Sequence, residues 1–586
     1  MISGFLITQI IIRKKELGTF NFTGFYISRV RRIAPAYLVL LVVVSFGMSF
    51  LLVPRDFDTF KGSAIAALYF NSNDFFAVQN DYFAPAAYEL PLLHTWSLAV
   101  EMQFYLILPF VLMVVSKRFL APTLLLITLT LVAGSEYFLQ QGHRQAVYFS
   151  LLARIPEFLI GSLAAILLQY RQFSQVPSTV FAYIGGGLVF SSFFFITEVQ
   201  KFPGVLALPA CLGTALLLVS QKSTLNRALS CAPLVLLGAL SYSLYLWHWP
   251  ILAAMRYLLG TYEVGASAAL AFCAMTLGCA YVSYRYVETP FRERSSMKST
   301  LARIMGLSAT SIAVIALAAA INPRLVKPLP DSLTRYANNA EICHGKMVGN
   351  CIRGDKEAQR TLLMLGDSHA AQLNYFADIV GRSIHARIRV ITSSNCVTIP
   401  GFDTDRIPED GRKDCLNQIA ESEKYESGAD GVIIAGMWQY QSASDKFMEQ
   451  LDKFLSKAAD RNQQVLVLAQ VPMLSSNPQR VYRANSIGFN LPASMNSEWA
   501  AANSKVKDLV SRHKNATFLD LSSTPFFAEV PIQNHTLIYQ DTHHLNEVGS
   551  QRYGEVAIPF FKSFMDRVYM SKASTSGVGS TLSHTE

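Results

Sequence analysis

The sequence predicts a polytopic α-helical membrane domain of about ten spans, the first one truncated, followed by an extracytoplasmic α/β domain with a parallel sheet. Three observations predict it. Apolar runs of membrane-spanning length fill residues 1–322, whereas 323–586 have ordinary globular composition. Past the linker, short strand-like runs alternate with helix-like stretches, the pattern of a doubly wound sheet. The Lys and Arg residues of the first part sit in short loops between apolar runs. The net charge of +9 therefore reads as positive-inside bias. No basic stripe interleaved with aromatics occurs, so nucleic acid is not expected as a partner.

Residues 2–12 are apolar but shorter than a span. They lack the cleavage site of a signal peptide and read as the back half of a helix whose front half is missing. A basic stretch from Arg13 to Arg32 follows and is expected on the cytoplasmic side. Spans are predicted at 34–53, 97–115, 119–139, 149–169, 180–197, 203–220, 233–257, 264–287 and 304–321. The stretch 62–72 is too short and is assigned to the interface. Parity then places both large basic loops, 13–32 and 285–303, on one side, and everything after Asn322 on the other. Pro323, Pro328 and Pro330 mark the linker. The domain bounds are 1–297 for the membrane domain, 298–330 for an extra span and linker, 331–570 for the soluble domain, and 571–586 for a Ser/Thr/Gly-rich disordered tail.

In the soluble domain strands are expected at 361–365, 387–392, 431–435, 464–469 and 516–520, with helices between them, as at 444–461 and 497–513. Its cysteines, Cys343, Cys351, Cys396 and Cys415, allow three pairings. The sequence-local one, Cys343 with Cys351 and Cys396 with Cys415, is expected, and it implies an oxidising compartment. Cys211, Cys231, Cys273 and Cys279 lie in or beside apolar runs and read as inert buried thiols.

Two motifs of the soluble domain carry chemistry. The apolar run Leu362 to Leu365 stops at Gly366, and Ser368 follows two residues later. A strand turning sharply into a helix exposes such a hydroxyl beside backbone N–H groups, which suits a nucleophile and its oxyanion hole. Alone, the tetrapeptide Gly366–His369 is also an ordinary capped turn. Asp541 and His544, three residues apart near the chain end, supply the base and its orienting carboxylate.

Three groups of ionisable residues mark the membrane part, where such residues are costly. Arg29 and Arg32 share a helix face and could grip phosphates, or anchor the chain. Glu101 lies a turn into a span, with His94 and Trp96 near its outer end. His248 stands between Trp247 and Trp249 in a span that Pro250 can kink. Glu288 closes the next span and reads as structural.

The Gly-Asp-Ser-His and Asp-Thr-His-His pair resembles the SGNH (GDSL-type) hydrolases, which implies a triad of Ser368, Asp541 and His544. Those enzymes carry an oxyanion Asn after a middle strand. Here the stretch reads Ala435-Gly436-Met437-Trp438, which leaves Gly436 as the oxyanion candidate. The runs Ile2 to Thr8, Arg29-Val-Arg-Arg32-Ile-Ala-Pro35, Trp96-Ser-Leu-Ala-Val-Glu101, Ser241-Tyr-Ser-Leu-Tyr-Leu-Trp-His248 and Tyr286-Val-Glu288-Thr-Pro-Phe291 resemble the acyltransferase-3 family of membrane sugar acyltransferases. That resemblance implies an O-acetyltransferase of the bacterial inner membrane with its C-terminal domain in the periplasm or outside. Acetyl-CoA would be the cytoplasmic donor, bound by Arg29 and Arg32. Glu101 would serve the membrane reaction centre, with His94, Trp96 and His248 beside it. The acceptor would be a surface glycan: O-antigen of lipopolysaccharide, capsule, exopolysaccharide or peptidoglycan. Membrane lipid would be a partner, and no metal is expected. The family's first helix carries an Arg and a His that this sequence lacks, and Ser28 stands where an Arg is usual. An upstream start at a GTG codon is expected on that ground; a chain truly beginning at Met1 would be impaired in transfer from CoA. Two other readings are a membrane-anchored carbohydrate O-acetylesterase and a truncated non-catalytic or transport protein.

Overall fold

The protein is described by a computed structural model covering residues 1–576 except 79–86, 172, 198–199, 261, 293–295, 327, 408, 487–492, 494 and 535. The chain forms two compact units, one of residues 1–257 and 262–327 and one of 258–261 and 328–586.

Among the described residues of the first unit, eight helices are long and apolar enough to cross a membrane: Phe22–Leu51, Thr95–Val114, Lys117–Gln140, Leu151–Tyr170, Gln175–Phe195, Ala232–Leu259, Ala266–Arg292 and Met297–Leu325. A shorter apolar helix spans Gly204–Val219. The first helix, Ile2–Glu16, and Pro54–Leu68 have fifteen residues each, below the length needed to span. The Phe22–Leu51 helix begins twelve residues before the predicted span, at Phe22 rather than 34, because Asn21 accepts a bond from Gly24 N–H and caps it. The Arg29–Arg32 stretch is therefore helical.

Helix ends inside apolar surroundings need partners for their last carbonyls. Here side chains of neighbouring helices supply them. Lys15 Nζ donates to Leu112 O at 2.7 Å and Met113 O at 3.3 Å. Asn322 Nδ2, fully buried, donates to Ser49 O at 3.0 Å and Leu52 O at 2.9 Å. Arg31 Nε donates to Thr300 Oγ1 at 2.7 Å, fastening the second helix to the last one. Ser243 Oγ donates to buried Glu288 at 2.9 Å, and Arg292 pairs with the same carboxylate.

The second unit is an α/β domain around a six-stranded sheet. The strands are β1 Ile352–Gly354, β2 Arg360–Gly366, β3 Ala386–Thr392, β4 Gly431–Ala435, β5 Gln464–Leu468 and β6 Ala516–Leu519, in the order β1-β3-β2-β4-β5-β6. All neighbours are parallel except the edge pair β1–β3. The five parallel strands match the predicted runs to within a residue or two. Leu362 through Leu365 are almost wholly buried, with successive side chains serving opposite faces of the sheet. Leu362 and Met364 pack with Phe561 and Phe564, whereas Leu363 and Leu365 pack with Trp438 and Phe447. Each such side chain contributes about 1.5–3 kcal/mol on burial. A helix at Glu547–Ser576 closes the domain. It runs through the first residues assigned to the disordered tail; 577–586 lie outside the described residues. Disulfides join Cys343 to Cys351 and Cys396 to Cys415.

Candidate active site

β2 lies at the centre of the sheet, and its carboxyl end carries the loop Gly366–Ser368. Gly366 is required by close approach. A Cβ there would lie 1.8 Å from Ala435 O and 2.6 Å from the Ala370 Cβ. Asp367 then staples the end of β2 to the end of β4. One of its oxygens accepts from His369 N–H at 2.8 Å; the other accepts from Met437 N–H at 2.9 Å and Gln441 Nε2 at 2.8 Å. Burial raises the Asp367 carboxyl above its usual range, and these three donors offset only part of that. Gly436, the oxyanion candidate, stands beside this staple, one residue past Ala435, the partner of Gly366. A Cβ on Gly436 would lie 2.8 Å from the Trp438 ring.

Ser368 Oγ lies 2.9 Å from His544 Nε2, and His544 Nδ1 lies 2.8 Å from Asp541 Oδ2. The other Asp541 oxygen accepts from the N–H groups of His543 at 2.9 Å and His544 at 2.8 Å. Burial opposes the Asp541 charge, but neighbouring His544 and His543 and these donors outweigh it, so its carboxyl is held well below the usual range. An ionised Asp541 fixes His544 with its proton on Nδ1 and leaves Nε2 to accept from Ser368. The loop that carries both residues is locked at its end. Asn546 Oδ1 accepts from Gly549 N–H at 2.8 Å, and a Cβ on Gly549 would lie 2.1 Å from Ile538 O. The first residues of the domain cover the other side. Tyr336 packs against the His544 ring at a tilt of 34°, with centroids 5.4 Å apart, and Arg335 pairs with Glu547 at 2.7 Å.

In the first unit, Glu101 accepts from Ser3 Oγ and Tyr105 Oη. Tyr105 is one helical turn away on the same face; Ser3 comes from the first helix. His94 is buried, and neither ring nitrogen has a hydrogen-bond partner among the described residues. Its ring faces His248, with centroids 5.9 Å apart. His248 Nδ1 donates to Tyr245 O at 2.7 Å, and Tyr245 Oη reaches both Ser97 Oγ at 2.7 Å and the His94 carbonyl. Trp96 does not join this group. It packs on Tyr148 and Phe149, with the Arg154 guanidinium 4.9 Å over its ring. Arg29 is half-buried and Arg32 exposed.

Sequence reasoning did not reach the contacts of Ser3, Gln441 or Tyr336 with the site residues, and it offered Asp367 only as the helix cap of an ordinary turn, which it also is. The cap reading of Asp367 holds, since a carboxylate between the turn glycine and the nucleophile accepts from the His369 N–H in the helix's first turn; its reach to Met437 and Gln441 had no local signal.

Fold and site together define an integral membrane protein whose second domain carries a Ser–His–Asp arrangement of the serine-hydrolase kind. The family model described as "Acyltransferase domain" matches residues 1–285, and that described as "SGNH domain (fused to AT3 domains)" matches 335–559. An uncharacterized protein of Haemophilus influenzae is 35% identical over 231 residues, which is 37% of this chain and 94% of that protein. O-acetyltransferase OatA of Staphylococcus aureus is 32% identical over 315 residues, 50% of this chain and 51% of the relative. Peptidoglycan O-acetyltransferase OatA of Listeria monocytogenes is 32% identical over 320 residues, 50% of each chain. The chain thus spans about half the length of these two relatives. No solved structure matches. The chain belongs to the acyltransferase family whose membrane domain is fused to an SGNH domain.

Proposed function

We propose that the protein is an O-acetyltransferase that takes acetyl groups from cytoplasmic acetyl-CoA and esterifies hydroxyls of a bacterial surface polysaccharide. Peptidoglycan is the acceptor its relatives' names favour; lipopolysaccharide O-antigen, capsule and exopolysaccharide have the same hydroxyl chemistry. The observation that carries this reading is the Ser368–His544–Asp541 line, at 2.9 and 2.8 Å, in a chain of the acyltransferase family.

In this reading Arg29 and Arg32 hold the CoA phosphates on the cytoplasmic side, and Glu101 serves as acid or base in the membrane step, beside His94 and His248. On the far side, Ser368 Oγ attacks the acetyl carbonyl while its proton passes to His544 Nε2. The N–H groups of Ser368 and Gly436 receive the oxyanion. The group that delivered the acetyl across the membrane leaves with that proton, giving an acetyl ester on Ser368. A glycan hydroxyl then gives its proton to His544, attacks the ester and releases Ser368. Transfer exceeds hydrolysis where the sugar excludes water. The oxidising compartment implied by the two disulfides agrees with a domain outside the cytoplasm.

The test is complementation of a deletion strain with wild type or Ser368→Ala, with ester acetate measured on each purified surface glycan. Wild type should restore acetylation and Ser368→Ala should not, while remaining in the membrane fraction. Acetylation that rises on deletion would instead mark an esterase. Acetylation unchanged by deletion or complementation would mark a protein without this role.

A further inference from the structure

Beside the triad stands a second feature that acyl transfer does not use. His369 follows the nucleophile directly and His543 precedes His544. The His369 and His543 rings are nearly parallel, with an interplanar angle of 11° and centroids 5.6 Å apart. The His543 and His544 centroids are 4.2 Å apart, and those of His369 and His544 5.1 Å. One ring nitrogen from each of the three lies within 4.8 Å of the others. His369 is 2% exposed, and neither of its nitrogens has a hydrogen-bond partner among the described residues. A buried imidazole is costly to leave unsatisfied, and a ligand on its ring nitrogen would remove that cost.

We propose that His369, His543 and His544 form a binding site for a divalent transition ion of the zinc class, and that the bound ion switches the triad off. Three neutral imidazoles with an open fourth position are a recurrent zinc donor set. The half of the site that orients a ligand is already built. Asp541 holds the Nδ1 side of His544 at 2.8 Å, the carboxylate–histidine arrangement that directs the opposite nitrogen at a metal. Nitrogens around a tetrahedral zinc stand about 3.3 Å apart, so ligation draws the three rings together by at most roughly 1.5 Å. The ion takes the His544 Nε2 lone pair that otherwise accepts the Ser368 proton. That proton stays on Oγ, and no nucleophile forms. The inhibitory consequence rests on Ser368 and His544 acting as proposed above; the binding site does not.

The experiment uses the full chain in detergent or nanodiscs, with Co²⁺ as a spectroscopic probe and Zn²⁺ as inhibitor. Wild type should develop the visible bands of tetrahedral cobalt, and zinc should suppress hydrolysis of an acetyl ester until a chelator is added. His543→Gln should weaken cobalt and zinc at least about tenfold, with zinc inhibition read against the variant's own metal-free rate. His369→Gln should do the same to cobalt, read from the spectrum alone. Absent cobalt bands in wild type, or cobalt affinity unchanged from wild type in both variants, would overturn the site. Cobalt bands without acetyl transfer would leave the site standing and count against the proposed function.

Discussion

The Ser368 triad and the Glu101–His94 cluster assemble in opposite ways. Asp541 and His544 come from one loop, three residues apart, and both nitrogens of His544 have partners, at 2.8 and 2.9 Å. Glu101 instead draws its hydroxyls from Tyr105 on its own helix and from Ser3, 98 residues away, and His94 meets His248 on a distant helix. The first site is preorganised by local chain geometry and by the Gly366 and Gly549 contacts. The second exists only while several helices stay packed. The Ser368 site should therefore tolerate changes in the membrane unit, and the Glu101 site should be sensitive to any shift of the first helix.

Asp541→Asn should separate geometry from charge in the Ser368 site. The amide can still hold His544, but it no longer favours the Nδ1 proton or the imidazolium. Ester hydrolysis and glycan acetylation should both fall by about 10⁴, measured as initial rates. Asp541 also carries a pH signature. Its carboxyl is lowered in the folded state, so the stability it contributes is complete above the usual carboxylate range and drains as pH falls below about 4. The Asn variant should lose less stability than wild type over that acid range.

Glu101→Gln should break the comparison the other way. If Glu101 serves proton transfer in the membrane step, glycan acetylation should fall by about 10²–10⁴, while Ser368-dependent hydrolysis of a water-soluble acetyl ester stays within twofold, roughly, of wild type. Equal loss of both activities would mean that Glu101 acts through folding rather than chemistry.

The second unit was the more legible of the two, for the same reason. Its central strands are short, uniformly apolar runs such as Leu362 to Leu365, and its motif residues lie within local turns. What escaped was weakly patterned. β1 is only Ile-Arg-Gly, and the long helix from Glu547 holds Pro559 amid mixed polarity. In the membrane unit the spans were legible from length and hydropathy, but the partners of Glu101 were not, because they depend on how helices cross. Among the three arginines of Arg29–Arg32, the sequence singled out the two with phosphate-gripping spacing. The one fastened to another helix is Arg31, through Thr300, and no spacing rule names that partner.

The smallest effect expected concerns the disulfides, and it separates the two units by redox chemistry. Cys396 and Cys415 are fully buried against the Leu363, Leu365 and Trp438 layer, and their bond closes a loop with a sequence separation of 19. Such a closure contributes about 3 kcal/mol through the unfolded chain. The Cys343–Cys351 bond, with a separation of 8, should contribute less. A Cys396→Ser, Cys415→Ser double variant should therefore lower the unfolding midpoint of the second unit more than a Cys343→Ser, Cys351→Ser variant does. Followed by Trp438 fluorescence in urea, with the other tryptophans replaced by Phe, the two variants should differ by about 1 kcal/mol or less. Reductant should reproduce both losses in wild type and leave the membrane unit, whose four cysteines form no disulfide, at its original stability. Equal sensitivity of both units to reductant would show that the second unit's stability does not come from these loops.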